Sequence, residues 1–432
     1  MKRSTAAFLA LALAVPAFAE DGARIQELER KLGALTEEVD KLKSGENAPY
    51  EPKFGLAPAA AKVYHLKEGV SLGGYGELVY QDFHARKDDG TGSGKRRQVD
   101  MSRFILYVGY RFSDKFVFNS EIEIEHAAED KRGEVSVELV TLDYLHQPAF
   151  NLRGGLLLLP VGFINELHEP PIFHGALRPN VERNIIPSTW RENGVGVFGQ
   201  AGPVAYRTYL VNGGQAVKDS VLGITGGDKV KGYSSSSGIR DGRQKGSSAF
   251  AEDLAWVARL DYTGLPGILV GGSFYAGDSG QNAVVSGRTL EAGTTLWEGH
   301  TEYKRRGLEL RGLYARIGLG DASLINAAQG VTGGSSVGER MWGGYLQAAY
   351  NLFALCKTEQ YLAPFLRYER YNTQAAVPAG FSSSGAYDRT EITHGLTYRP
   401  ILNIVVKGEF QDLKNRAGSG VDQWNMALGY LF

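Results

Sequence analysis

The segment QWNMALGYLF at residues 423–432 puts Trp424, Met426, Leu428, Tyr430 and Phe432 on one side of an extended chain. Gln423, Asn425, Ala427 and Gly429 fall on the other. Alternate residues of a strand point to opposite faces, so one face is large and apolar and the other polar or small. Leu431 is the single break. On a soluble sheet edge five such side chains would drive aggregation, whereas in an outer-membrane barrel they meet lipid, with aromatics at the interfacial girdle. Taken alone, the segment also allows the terminal strand of a soluble sandwich.

The opposite end has Lys2 and Arg3, an apolar run over residues 6–15, and Ala17-Phe18-Ala19. That is the pattern of a secretory signal peptide over residues 1–19, with the mature chain starting at Glu20. The apolar run is too short to span a bilayer as a helix, and no later stretch supplies the roughly 20 apolar residues a spanning helix needs. Export without a helical anchor fits a periplasmic, secreted or outer-membrane protein. A hydrophobic content of 43% does not argue against a barrel, because a barrel hides its lipid face in alternation. The 56 glycines, 22 tyrosines and 19 phenylalanines suit one. One cysteine, Cys356, excludes an internal disulfide, and a net charge of -1 points to no nucleic-acid partner.

Ile25, Leu28, Leu32, Leu35, Val39 and Leu42 are spaced as the seam of a coiled coil, so a periplasmic coiled-coil helix is expected over residues 20–43. At fewer than three heptads, a lone amphipathic helix packed on a domain stays open as the alternative. Residues 44–69 carry Pro49, Pro52 and Pro58 among small residues and read as a linker.

Residues 70–432 divide into sixteen strand-like segments. They lie near 70–80, 98–112, 115–126, 133–145, 151–160, 190–200, 203–212, 248–263, 267–277, 288–304, 306–319, 339–351, 361–371, 387–399, 401–411 and 421–432. An even count suits a transmembrane antiparallel β-barrel. Connections after even-numbered strands are mostly tight, as at Ser113-Asp114, Ala201-Gly202, Gly264-Leu265-Pro266 and Arg399-Pro400. Those after odd-numbered strands are often long, polar and rich in Gly and Ser. Short periplasmic turns and long external loops are the asymmetry of such barrels. The stretches 146–150 and 352–360 are longer than this rule expects.

On the second segment Phe104, Leu106, Val108, Tyr110 and Phe112 should face lipid, with Arg103, Tyr107, Gly109 and Arg111 inward. On the third, Phe116, Phe118, Ile122 and Ile124 should face out, with Asn119, Glu121, Glu123 and Glu125 inward. Charges in a dry core cost several kcal/mol each unless paired, so a mixed-charge interior reads as the wall of a water-filled channel. A plugged lumen would count against that reading. The third long connection, 162–187, carries Glu166, His168, Glu169, His174, Arg178, Glu182 and Arg183 with Pro170, Pro171, Pro179 and Pro187. Its position suggests a stiffened loop folded into the pore, with Arg191 where the chain re-enters the wall. An ordinary surface loop is the alternative.

Three stretches, SLGGYGEL (71–78), GGLLLLPVGFINE (154–166) and LGYLF (428–432), resemble the phosphate-selective porin O and P family. The resemblance implies a sixteen-stranded homotrimeric porin whose third loop narrows the pore, and an anion preference set by lumen arginines and lysines. The chain's end on Phe432, after Tyr430, likewise resembles the signal read by the barrel assembly machinery. This sequence departs from the family in placing Glu121, Glu123 and Glu125 inward beside Arg103 and Arg111.

Other motifs carry less. Gly277-Asp278-Ser279-Gly280 spells a serine-protease nucleophile segment without a placed His and Asp. Histidines 168 and 174 are six apart, which matches no common metal-ligand spacing, so no metal and no cofactor are expected. The basic run at Arg240, Arg243 and Lys245 is expected on an external loop. The resulting expectation is a non-enzymatic outer-membrane porin for passive diffusion of small hydrophilic solutes, with anions such as phosphate as candidates, in contact with outer-membrane lipid. Glu166, His168, Glu169, Arg178, Glu182, Arg183 and Arg191 would form its constriction. An envelope tether acting through the coiled coil and a barrel hydrolase are the alternatives.

Overall fold

The computed structural model describes residue 31 and residues 51–127 and 133–432. The signal peptide expected over 1–19, the coiled-coil helix over 20–43 apart from Lys31, and the first part of the linker lie outside the described residues.

Sixteen strands close one antiparallel barrel, each paired with its sequence neighbour and the last with the first. They are β1 (Gly69–Phe83), β2 (Gln98–Arg111), β3 (Phe116–Glu125), β4 (Val135–Gln147), β5 (Phe150–Leu158), β6 (Arg191–Ala201), β7 (Val204–Asn212), β8 (Leu254–Leu265) and β9 (Ile268–Gly277). After a separate small hairpin, β10 (Val284–Val285) and β11 (Arg288–Thr289), the wall continues. Its second half is β12 (Thr294–Arg305), β13 (Leu308–Leu319), β14 (Arg340–Tyr350), β15 (Tyr361–Ala376), β16 (Asp388–Ile401), β17 (Ile404–Asn415) and β18 (Gln423–Leu431). All sixteen segments read from the alternation are present. Two start six residues later than expected, at Leu254 and Thr294, because residues 248–253 and 290–293 are irregular.

Alternation governs the wall. In β18 Trp424 is 53% exposed on the outside and Asn425 0% exposed on the inside. Leu72, Leu142, Leu260, Trp297, Leu346 and Leu366 repeat the outward pattern. A closed barrel has no free edge, and an outer surface this apolar is compatible only with lipid; the barrel belongs in the outer membrane of a Gram-negative cell.

One rim carries tight turns at 112–115, 148–149, 202–203, 266–267, 306–307 and 402–403, with 351–360 the exception. The other rim carries 84–97, 126–127 with 133–134, 159–190, 213–253, 278–293, 320–339, 377–387 and 416–422. The turn expected at Arg399-Pro400 sits at 402–403, because β16 runs past Pro400 across an irregularity in its register with β17.

The seam between β1 and β18 explains the glycines of 73–76. Phe432 N donates to Gly74 O and Gly74 N to Phe432 O, both at 2.9 Å. A Cβ on Gly74 would collide with the carbonyl of Ile105 and the ring of Phe432, and one on Gly76 with the ring of Tyr430. The terminal aromatics lie over bare backbone, with Phe432 stacked on Phe104 at 6.3 Å.

Residues 53–65, read as part of a flexible spacer, instead pack inside the barrel. A helical turn (Pro58–Ala61) and a 3-10 turn (Lys62–His65) bury Leu56, Ala59, Ala60, Ala61, Val63 and Tyr64 against Tyr75, Ile105, Tyr107, Val117 and Leu139. Asn119 Nδ2 donates to Ala60 O at 2.8 Å, and Tyr64 OH to Asp143 Oδ2 at 2.6 Å. Leu431, the break in the terminal pattern, faces inward and packs on this cluster.

Candidate functional site

Loop 3, residues 159–190, is pinched at its root. Leu159 N donates to Trp190 O at 2.9 Å, Trp190 N to Asn165 Oδ1 at 2.6 Å, and Asn165 Nδ2 back to Leu159 O at 2.7 Å. The loop then crosses the lumen to strands half a barrel away. Glu369 on β15 accepts from Val181 N at 2.9 Å, Glu391 on β16 from Asn180 Nδ2 at 2.7 Å, and Glu409 on β17 from Ala176 N at 3.0 Å. Wall carboxylates thus hold the loop by its polar backbone, which would otherwise be buried without partners. Pro170, Pro171, Pro179 and Pro187 are buried, as a stiff insert requires.

Most of the expected constriction residues turn out to be anchors. Glu166 pairs with Arg207 at 2.9 Å, and Arg207 and Arg259 share Asp261 at 2.9 and 2.8 Å. Glu169 Oε1 accepts from Ala59 N at 2.9 Å, tying the loop to the inserted N-terminal segment. Glu182 accepts from Ile164 N at 2.7 Å and Tyr345 OH at 2.6 Å; burial raises its pKa. Arg191 is paired with Glu138 at 2.6 Å and is no free attracting charge. Arg111, expected to face the lumen, sits at the tight-turn rim, bonded to the carbonyls of Tyr64, Ser113 and Asp114.

The inward faces of β2 and β3 are oriented as expected, but the wet, charge-lined wall is not what surrounds them. Glu121 and Glu123 are buried, as are Glu298, His300, Arg367 and Glu369. Loop 3 and the N-terminal segment cover much of the interior, and charges there are compensated in pairs: Arg153 with Asp143 at 2.8 Å, His300 with Glu298 at 2.7 Å, Arg367 with Glu369 at 2.8 Å. Pairing is the condition on which buried charge is tolerated.

Against that background four guanidiniums stand out. Among the described residues Arg178, Arg183, Arg240 and Arg243 form no ion pair with a carboxylate. The positive charges of Arg243, Arg183 and Arg178 bear on Arg240, partly offset by Asp241, and those of Arg103 and Arg178 bear on Arg183, partly offset by Glu391. Burial, reinforced by those like charges, lowers the Arg240 pKa. Arg183 is exposed and the other three are partly exposed. Arg178 and Arg183, expected at the constriction, both lie on loop 3. Arg240 and Arg243 were expected on an external loop, yet residues 213–253 fold inward onto loop 3, with Arg243 donating to the carbonyls of Ser188 and Thr189. The signal was present: Val217, Tyr233 and Ile239 are apolar residues that a solvated loop would not need, and all are buried.

The protease-like motif has a plain explanation. Ser279 is buried, and its hydroxyl is held by Tyr233 OH at 2.8 Å and Thr294 Oγ1 at 3.1 Å.

No family model matches this chain, so the narrower resemblance to the phosphate-selective porins has no support from one. An uncharacterized protein of Aquifex aeolicus (strain VF5) is 36% identical over 392 residues, covering 89% of this chain and 84% of that protein. Among solved structures, Salmonella typhi OmpF in complex with daunomycin aligns with a TM-score of 0.54 at 11% identity, over 84% of this chain and 97% of that one. The anion-selective porin from Comamonas acidovorans aligns at 0.52 with 12% identity, over 85% and 100%. A loop L8 deletion mutant of OmpT, an outer membrane protein of Vibrio cholerae, aligns at 0.52 with 9% identity, over 85% and 100%. At such identities the likeness is one of fold.

Proposed function

Because the chain belongs to one family with the Aquifex aeolicus protein and closes a porin-type barrel, we propose that it is an outer-membrane diffusion channel preferring small hydrophilic anions. The observation that carries this reading is the gathering of Arg178 and Arg183 of loop 3 with Arg240 and Arg243 without a carboxylate in ion-pair distance, in an interior where Arg153, Arg191, Arg207, Arg259, Arg311 and Arg367 each have one. Clustered like charges repel one another, and they become favourable where a passing anion or water can approach them. Their remaining exposure is consistent with such a path.

Phosphate as solute and a homotrimeric assembly rest on the resemblance of residues 71–78, 154–166 and 428–432. A periplasmic coiled-coil helix over residues 20–43 rests on its sequence pattern. A tether or hydrolase function finds no comparable support among the described residues.

The test is reconstitution in a planar bilayer with a salt gradient. Stable conductance with an anion-biased reversal potential, abolished by joint Arg178→Ala, Arg183→Ala and Arg240→Ala, is expected, with block by phosphate if phosphate is the solute. Absence of conductance, or a bias unchanged in the triple variant, would refute the reading.

A further inference from the structure

We propose that Glu121, Glu138 and His168 form a binding site for one divalent cation of the zinc class, which fastens loop 3 to β3 and β4. One ligand atom from each residue lies within 4.8 Å of the other two, and each residue is 1% exposed. Tetrahedral zinc bound at about 2.0–2.1 Å separates its ligand atoms by about 3.3 Å. His168 Nε2 and Glu121 Oε1 are 2.9 Å apart, so they need only open by a few tenths of an ångström. Glu138 completes the set by rotating its carboxylate inward.

The surroundings match what metal ligands require. His168 Nδ1 faces the carbonyl oxygen of Asn165 at 3.0 Å, so that nitrogen carries the proton and donates. Nε2 is thereby left to face the Glu121 carboxylate at 2.9 Å. A cation fits between Nε2 and the carboxylate, and a backbone carbonyl on the far ring nitrogen is the usual support of a metal-bound histidine. Glu138 Oε1 is oriented by Arg191 at 2.6 Å, and Tyr107 OH donates to Glu121 Oε1 at 3.4 Å.

An independent observation points to a missing positive group. Glu138 Oε2 and Glu123 Oε1 are buried without a hydrogen-bond partner, and their two carboxyl groups approach each other. Facing carboxylates cannot satisfy one another without a proton or a cation. The donors, a histidine and carboxylates, suit a borderline divalent ion. The three ligands come from two strands and a loop, which is why the local spacing of His168 and His174 gave no hint of them.

The full-length protein, folded in detergent with chelator and then dialysed, would be titrated with zinc by calorimetry and with cobalt by visible absorption. One equivalent per chain is expected, with cobalt ligand-field bands distinct from those of the aquo ion. Affinity should fall at least tenfold in Glu138→Gln and His168→Gln, and stay unchanged in His146→Gln, at the exposed rim. Should His168→Gln fail to fold, the wild-type cobalt spectrum still decides. The absence of saturable uptake, an aquo-like spectrum, or uptake indifferent to Glu138→Gln would overturn the proposal.

Discussion

Replacing Asp261 by Asn tests whether the paired interior holds loop 3 in place. Asp261 is buried and accepts from Arg207 Nη2 at 2.9 Å, from Arg259 Nε at 2.8 Å, and lies 3.0 Å from His300 Nε2. Both arginines continue into loop 3, Arg207 to Glu166 and Arg259 to the carbonyl of Gly162. At an effective dielectric of about 20, each guanidinium contact is worth roughly 6 kcal/mol of Coulomb energy. Desolvation removes much of this, and breaking a buried pair costs about 3–5 kcal/mol net. Asparagine keeps an acceptor oxygen, so the lower figure of about 3 kcal/mol applies. That is a roughly 150-fold shift in the opening equilibrium. Hydrogen exchange of peptides covering 159–190 should accelerate by that factor, while the wall strands opposite stay protected. The control is Asp82→Asn, which breaks the exposed pair with Arg97 and should cost little, because water screens it. If Asp261→Asn costs no more than that control, the view of loop 3 as held by buried charge is wrong.

Three further outcomes are expected. Arg183→Glu together with Arg240→Glu should lower the anion-to-cation permeability ratio by at least about tenfold, since inverting a charge near the path changes the ion's energy by over about 1.4 kcal/mol; an unchanged reversal potential would count against the arginine cluster. Gly74→Val should sharply reduce the yield of heat-modifiable folded protein, because its side chain would occupy the position of Phe432 and the Ile105 carbonyl; normal yield would show that the seam tolerates a side chain. Burial, opposed by the hydrogen bond with Glu309, holds the His174 pKa below its ordinary 6.5. The unfolded chain therefore takes up the proton more readily, so stability from this group is full above about pH 6.5 and falls as pH drops towards the depressed value. Exchange in loop 3 should rise as pH falls below about 6.5 in the wild type, and be flatter in His174→Gln.

The wall was legible because its physics is local. A lipid face and an inner face alternate along every strand, so Trp424 against Asn425 can be read without knowing any neighbour. What fills the wall was not, because its partners are remote in sequence. Nothing near Glu169 announces that its carboxylate will accept from Ala59, and nothing near Arg191 that it will meet Glu138. Charged inward faces suggested contact with water when they in fact met countercharges on inserted segments. The proline-rich linker misled for a related reason: Ala59, Ala60 and Ala61 look like spacer residues, and they are small because the helical turn they form must fit against the inside of β1 to β3.

The inserted segment has a bearing on how the molecule is put together. It immediately precedes β1 and rests mainly on β1, β2, β3 and Leu139 of β4, strands made early in synthesis, while its contact with the last strand is through Leu431. The first quarter of the wall can therefore curl around an internal mandrel before the rest arrives. Its apolar inner surface is shielded during the interval when an open sheet is most prone to wrong pairing. When Phe432 finally meets Gly74, the closing seam forms over a cavity already furnished on that side, and the curvature set by residues 53–65 helps to guide the two edges to the same register.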